Sequence, residues 1–156
     1  MTESIAAPGG ASGNQAAGLV GTWKLVSASS VTANGQRDET PYGAGPVGFL
    51  SYSEDGRVTA MISYAGRKSL PANPRVEEQA EAYKTFFAYA GRYTLSRDKV
   101  IHHVEICSFQ NYVNKDLVRS IKFQGDQLVL ATPPTLMDGA IQTIEIIWQR
   151  LPAGSR

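Results

Sequence analysis

Leu19-Val20-Gly21-Thr22-Trp23-Lys24-Leu25 sets Leu19, Trp23 and Leu25 against Val20, Thr22 and Lys24. Alternation with a period of two belongs to a strand with one buried face, so this segment, running on to Val31, predicts a first β-strand. Downstream, Val47 to Ser53 and Arg57 to Tyr64 are two further β-rich runs. They are separated by Glu54-Asp55-Gly56, where Gly56 can take the positive φ of a tight hairpin turn. Tyr89 to Ser96 and Lys99 to Cys107 flank Arg97-Asp98, Leu117 to Gln124 and Gln127 to Ala131 flank Gly125-Asp126, and Ile141 to Arg150 ends the series. Between the third and fourth strands, Asn73-Pro74 suits a helix start, with Asn73 as cap and Pro74 in the first turn. Val76, Ala80, Tyr83 and Phe87 then recur at helical spacing opposite Glu77, Glu78, Glu81 and Lys84. One amphipathic helix is expected over about 74–88, as a lid or plug on an open barrel end. The whole reads as an all-β fold, an eight-stranded antiparallel up-and-down barrel with one inserted α-helix. Closure removes exposed strand edges, and eight strands leave room for filling side chains or one small ligand.

Composition limits what such a barrel could serve. The chain has 156 residues, 42% hydrophobic and 19% charged, with 15 Lys and Arg against 14 Asp and Glu. That is one ordinary globular domain, and a net charge of +1 gives no support to a nucleic-acid or membrane-surface partner. Residues 1–18 are rich in Ala, Gly and Ser and lack the basic start and apolar core of a signal peptide. They are expected to form a disordered tail on a cytoplasmic protein, with the domain over 19–151 and a short C-terminal tail at 152–156. Cys107 is the sole cysteine, so no intramolecular disulfide and no cysteine metal site can form. No apolar run approaches the length of a membrane-spanning helix.

The ordered set of pieces resembles a known family, the small bacterial and fungal lipocalin-like domain proteins of the calycin superfamily. Its carriers are the Leu19–Leu25 segment, Gly48-Phe49-Leu50-Ser51-Tyr52 with Asp55-Gly56-Arg57-Val58, Tyr89-Ala90-Gly91-Arg92-Tyr93, Val100 to Glu105, Arg119, and Trp148-Gln149-Arg150. The resemblance covers nearly all of residues 19 to 150 and implies an eight-stranded barrel around a ligand cavity. Many members have no assigned activity, and some sit among enzymes of natural-product biosynthesis. It also implies that Arg150 covers Trp23 at the barrel base, an architectural role. One departure lies after the His-bearing strand, where Tyr112 and Asn114 replace the usual Trp and Gly. Asn tolerates the left-handed conformation, so the turn there can survive.

The chemistry-bearing residues concentrate on the strand Val100 to Cys107. Strict alternation puts Ile101, His103, Glu105 and Cys107 on one face and Val100, His102, Val104 and Ile106 on the other. If the odd face is inward, His103 and Glu105 lie roughly 6 to 7 Å apart along the strand, as general base and partner in one low-dielectric cavity. The even face is the more apolar, and as the inner wall it would leave His103 and Glu105 in solvent. We take His103 as inward, with Glu105 and Arg119 completing the catalytic set. Arg119 on an apolar face would pair with Glu105 or bind an oxyanion; on the outer face it would lie along its stem. Tyr89 and Tyr93, four apart on one strand, together with Tyr52, Tyr64 and Tyr112, are read as ligand-binding or as ordinary barrel filling.

No dinucleotide or phosphate loop, nucleophile elbow or helical metal-ligand pair is present, so neither cofactor nor metal is expected. The leading expectation is a cofactor-independent isomerase, cyclase or lyase acting on an apolar oxygenated metabolite. The alternative is a binding or carrier protein for a hydrophobic small molecule, and a third reading is a filled barrel whose outside binds protein. A homodimer is the one assembly left open.

Overall fold

Period-two alternation is realised along almost the whole chain. The computed structural model describes residues 17–137 and 139–154. The elements are β1 (Gly21–Thr32), β2 (Arg37–Asp38), β3 (Val47–Tyr52), β4 (Arg57–Ser63), α1 (Val76–Lys84), β5 (Phe86–Ser96), β6 (Lys99–Cys107), β7 (Asp116–Gln124), β8 (Gln127–Ala131), β9 (Thr135–Met137) and β10 (Ala140–Arg150). Antiparallel pairing runs β1, β3, β4, β5, β6, β7, β8, β10, and β10 returns to β1 with Trp23 opposite Arg150 and Thr32 opposite Gln142. The expected closed eight-stranded barrel is thus the fold. The two extra strands are short: β2 pairs with the far end of β1, and β9 with the first residues of β10. Most of the tail expected over 1–18, and residues 155 and 156 of the C-terminal tail, lie outside the described residues.

The two ends of the barrel differ because their connections differ. At one end the strands turn tightly, at Ser53–Gly56, Arg97–Asp98 and Gly125–Asp126; Gly56 has φ 87°, and Arg97 reaches φ 58° despite its side chain. This end is packed shut by Leu19, Trp23, Tyr52, Val58, Val100 and Leu128, all buried. The Trp23 indole N–H donates to the Leu19 carbonyl at 2.9 Å, so its one polar atom costs nothing to bury. Arg150 lies over the Trp23 ring, 4.2 Å from its centroid, and donates to the carbonyls of Val20, at 2.9 Å, and Gly18. A guanidinium that stacks on one face and hydrogen-bonds on its rim closes the base with no carboxylate partner among the described residues. The long connections, 33–46, 64–85, 108–115 and 132–139, gather at the opposite end, which stays open.

The helix is shorter than its apolar spacing predicts, and it is not a plug. Arg75 precedes its first turn, and the Glu78 carboxylate accepts from the Arg75 backbone N–H at 2.9 Å, the office expected of Asn73. Thr85 ends it, its hydroxyl donating to the Glu81 carbonyl at 2.8 Å. Phe86 and Phe87 leave the helix for the sheet, where they pair with Ser63 and Ile62 of β4. Aromatic side chains next to a waiting strand edge gain more from the ladder and the core than from another helical turn. What remains of α1 buries no residue, Val76 is 76% exposed, and no α1 side chain lines the cavity described below.

Candidate functional site

Inside the barrel, above the sealed base, is a cavity of about 650 Å³, a size that accepts a small organic molecule. Its walls are apolar side chains from the inward positions of the strands, among them Leu50, Ala60, Ile62, Leu130, Ile144 and Ile146. The mouth is aromatic. Tyr42 and Tyr64 pack with ring centroids 5.0 Å apart, and Tyr112 stands edge-on to Phe87 at 5.9 Å and to Phe109 at 5.0 Å. Asp38 of β2 and Leu136 and Met137 of β9 also reach the lining, so the two short strands shape the rim. The turn that carries Tyr112 survives its departure from the family pattern, since Asn114 takes φ 62°.

The polar centre of the cavity is His102, 1% exposed. Its Nε2 is 2.7 Å from the Tyr52 hydroxyl and its Nδ1 2.6 Å from the Tyr89 hydroxyl. Tyr52, at the last position of β3, comes from the base side. Tyr89 pairs with Cys107, the last residue of β6, and lies toward the mouth. Burial, with the positive charge of Arg119 adding to it, lowers the His102 pKa from the ordinary 6.5 to about 3. Burial likewise pushes the Tyr89 phenol up to about 12 and the Tyr52 phenol well above 10, each partly offset by Arg119. At neutral pH the three groups are therefore an uncharged chain of hydroxyl, imidazole and hydroxyl.

Arg119 is the cation of the cavity. It points inward from β7 opposite Val100, and one guanidinium nitrogen donates to the Val118 carbonyl at 2.9 Å. Among the described residues no carboxylate lies within ion-pair distance of it. Trp148 lines the same space, and its indole N–H is the one buried side-chain nitrogen or oxygen among the described residues with no hydrogen-bond partner. Arg119 and the Trp148 N–H are thus donors with capacity to spare, which suits a guest that brings acceptor oxygens.

The expectation that His103 faces the cavity beside Glu105 is overturned. His103 is on the outer wall, between the Thr94 hydroxyl, 2.8 Å from its Nε2, and Asp116, 2.7 Å from its Nδ1. Glu105 pairs with Arg57 at 2.7 Å on the surface, so it cannot partner Arg119. The cause is visible: Val100 and Val104 flank His102, and burying their face costs less than burying a carboxylate. Alternation holds as far as Glu105 and fails only after it: Ala90 pairs with Ile106 and Gly91 with Val104, leaving Glu105 unpaired in a β-bulge. Beyond the bulge the faces exchange, so Ile106 is exposed and Cys107 packs against the core. Thr94, His103 and Asp116 have the order of a nucleophile relay, yet they stand on an open wall where no cavity excludes water.

Of the tyrosines singled out from the sequence, Tyr64, Tyr89 and Tyr112 line the cavity. Tyr52 lies beneath it against His102, and Tyr93 packs edge-on to Tyr52 at 4.9 Å while donating to the Ser53 carbonyl. His102 itself, Tyr42 and Trp148 were not among the expected site residues. The apolar neighbours of His102 were the available signal for the first; Tyr42 sits in an irregular loop, where no periodicity marks it.

A family model described as a lipocalin-like domain matches residues 20–151. A protein of Aspergillus oryzae described as a 4'-hydroxy-3'-methoxypropiophenone carrier protein is 34% identical over 85 residues, 49% of this chain and 77% of that protein. No solved structure matches. No described helix is long and apolar enough to cross a membrane, and among the described residues no three His, Cys, Asp or Glu side chains gather as a metal site would need.

Proposed function

The chain belongs to the lipocalin-like domain family, and from that premise we propose that it binds and carries a small, largely apolar, oxygen-bearing molecule, of the aryl ketone or phenol kind. The observation that carries this reading is the interior itself, a cavity walled largely by apolar and aromatic side chains in which the Trp148 indole N–H has no hydrogen-bond partner and Arg119 no carboxylate partner among the described residues. A fully apolar guest would leave those donors without partners at a cost of about 1 to 3 kcal/mol each; a ketone or phenol satisfies them. The similar carrier protein supports the same class of ligand.

Proton transfer by His103 and Glu105 loses its support, because both residues stand outside. His102 is a poor substitute, since a base with a pKa near 3 holds a proton too weakly to take one at neutral pH. The test is a titration with 4'-hydroxy-3'-methoxypropiophenone followed by the fluorescence of Trp23 and Trp148, with mass spectrometry of the ligand after prolonged incubation. Saturable one-to-one binding and an unchanged mass support carriage. A new mass restores the enzyme, and the absence of binding across a panel of oxygenated aromatics overturns the reading.

A further inference from the structure

We propose that Tyr52 fixes the tautomer of His102 and thereby turns Tyr89 into a hydrogen-bond donor toward the ligand, so that the cavity selects molecules with a carbonyl-type acceptor oxygen over their deoxygenated analogues. The inference rests on the carrier reading and adds to it a selection rule and the residues that impose it.

The argument is a count of protons. Tyr52, neutral His102 and Tyr89 bring three mobile hydrogens to two contacts, so one hydrogen is left to point elsewhere. If His102 carried its proton on Nε2, it would donate to Tyr52, and the Tyr52 hydroxyl hydrogen would be the surplus one. Tyr52 is buried beneath the cavity, and among the described residues its hydroxyl has no other hydrogen-bond partner. That hydrogen would be orphaned in the core. If the proton is on Nδ1, Tyr52 donates to Nε2, Nδ1 donates to the Tyr89 oxygen, and the surplus hydrogen belongs to Tyr89. Tyr89 lines the cavity, where a ligand oxygen can accept it. The burial of one tyrosine and the cavity exposure of the other therefore set the direction of the chain, from base to mouth. Each donation also polarises the next group, which strengthens the terminal donor. The doubly protonated imidazolium, which would free both hydroxyl hydrogens, is disfavoured by burial and by Arg119.

Tyr52 is thus a positioning residue, acting on the ligand through His102. Long-range proton–nitrogen correlation spectra of the ¹⁵N-labelled protein report the tautomer directly, with His103→Gln, a change on the outer wall, assigning the signals. The expected result is a protonated Nδ1 and a bare Nε2 on His102. The ligand arm compares 4'-hydroxy-3'-methoxypropiophenone with 2-methoxy-4-propylphenol, the same skeleton without the carbonyl oxygen. The wild type should prefer the ketone by about 10-fold or more, the worth of one hydrogen bond to a buried donor. Tyr52→Phe removes the donation into Nε2, so it should raise the Nε2-protonated fraction and weaken the preference in part, since an N–H facing the phenylalanine ring would itself be orphaned, whereas Tyr89→Phe should erase the preference with the Nδ1 tautomer retained. A His102 protonated on Nε2 in the wild type overturns the relay, even if Tyr52→Phe does not fold. Equal affinity for the two probes overturns the selection while carriage stands, and binding of neither probe overturns carriage itself.

Discussion

His102 is a buried base held by two phenols, and that arrangement decides how the protein answers acid. Its folded pKa of about 3 lies below the 6.5 of the unfolded chain. Between those values the unfolded state binds a proton that the folded state refuses, so stability is full above about pH 6.5 and falls as pH drops toward 3. One such group contributes a slope of about 1.4 kcal/mol per pH unit. Urea midpoints at several pH values across this window should therefore show a shallower acid loss in His102→Gln than in the wild type. The tyrosines work in the opposite limb. The raised pKa of Tyr89 contributes stability below pH 10 that is lost as pH rises through about 12. Arg119 is a separate test of the interior, because Arg119→Met keeps the length and removes the charge. The variant should fold with an unaltered circular dichroism spectrum and bind the propiophenone about 10-fold more weakly, as loss of a charge-assisted hydrogen bond implies. Arg119 was legible from the sequence as an expensive residue on an apolar strand face. The inward histidine was not, since two adjacent histidines make both faces of β6 polar and alternation alone does not rank them.

At the scale of the element, β6 and β5 show where alternation, which located every barrel strand, loses its phase at Ile106 and Cys107. Period two survives only while the ladder is regular, and the bulge at Glu105 changes the phase within a single strand. Gly91 was the trace of it in the sequence. A Cβ on Gly91 would come within 1.9 Å of the His103 carbonyl oxygen, so the glycine exists to let the two backbones approach. Gly91→Ala should cost about 2 to 4 kcal/mol in guanidinium unfolding, because the obstacle is main chain and cannot rotate away. A midpoint shift under a few tenths molar would show that the bulge relaxes freely. β2 and β9 escaped notice for a simpler reason, being two and three residues long, too short to display any period. The end of α1 was misplaced by the aromatics at 86 and 87, which suit either the apolar face of a helix or a strand, and only the free edge of β4 decided between them.

Across the whole molecule the barrel divides into a sealed base and an open mouth, and stability should follow the same division. Trp23 is buried with its N–H bonded to Leu19 and its ring covered by Arg150. Trp23→Ala should cost about 3 to 5 kcal/mol, enough to unfold much of a marginally stable domain at ambient temperature, and thermal denaturation would show it. The seam at that base joins residue 23 to residue 150, and this has a consequence for how the protein is made. On the ribosome, the barrel's β1 emerges before its partner β10, with seven of the eight walls already made. Until β10 is available the chain is an open curved sheet with two unpaired edges, on β1 and β8, the arrangement most inviting to other extended chains. A chain cut anywhere within the eleven residues of β10 would therefore yield an aggregating polypeptide in place of a weakened barrel.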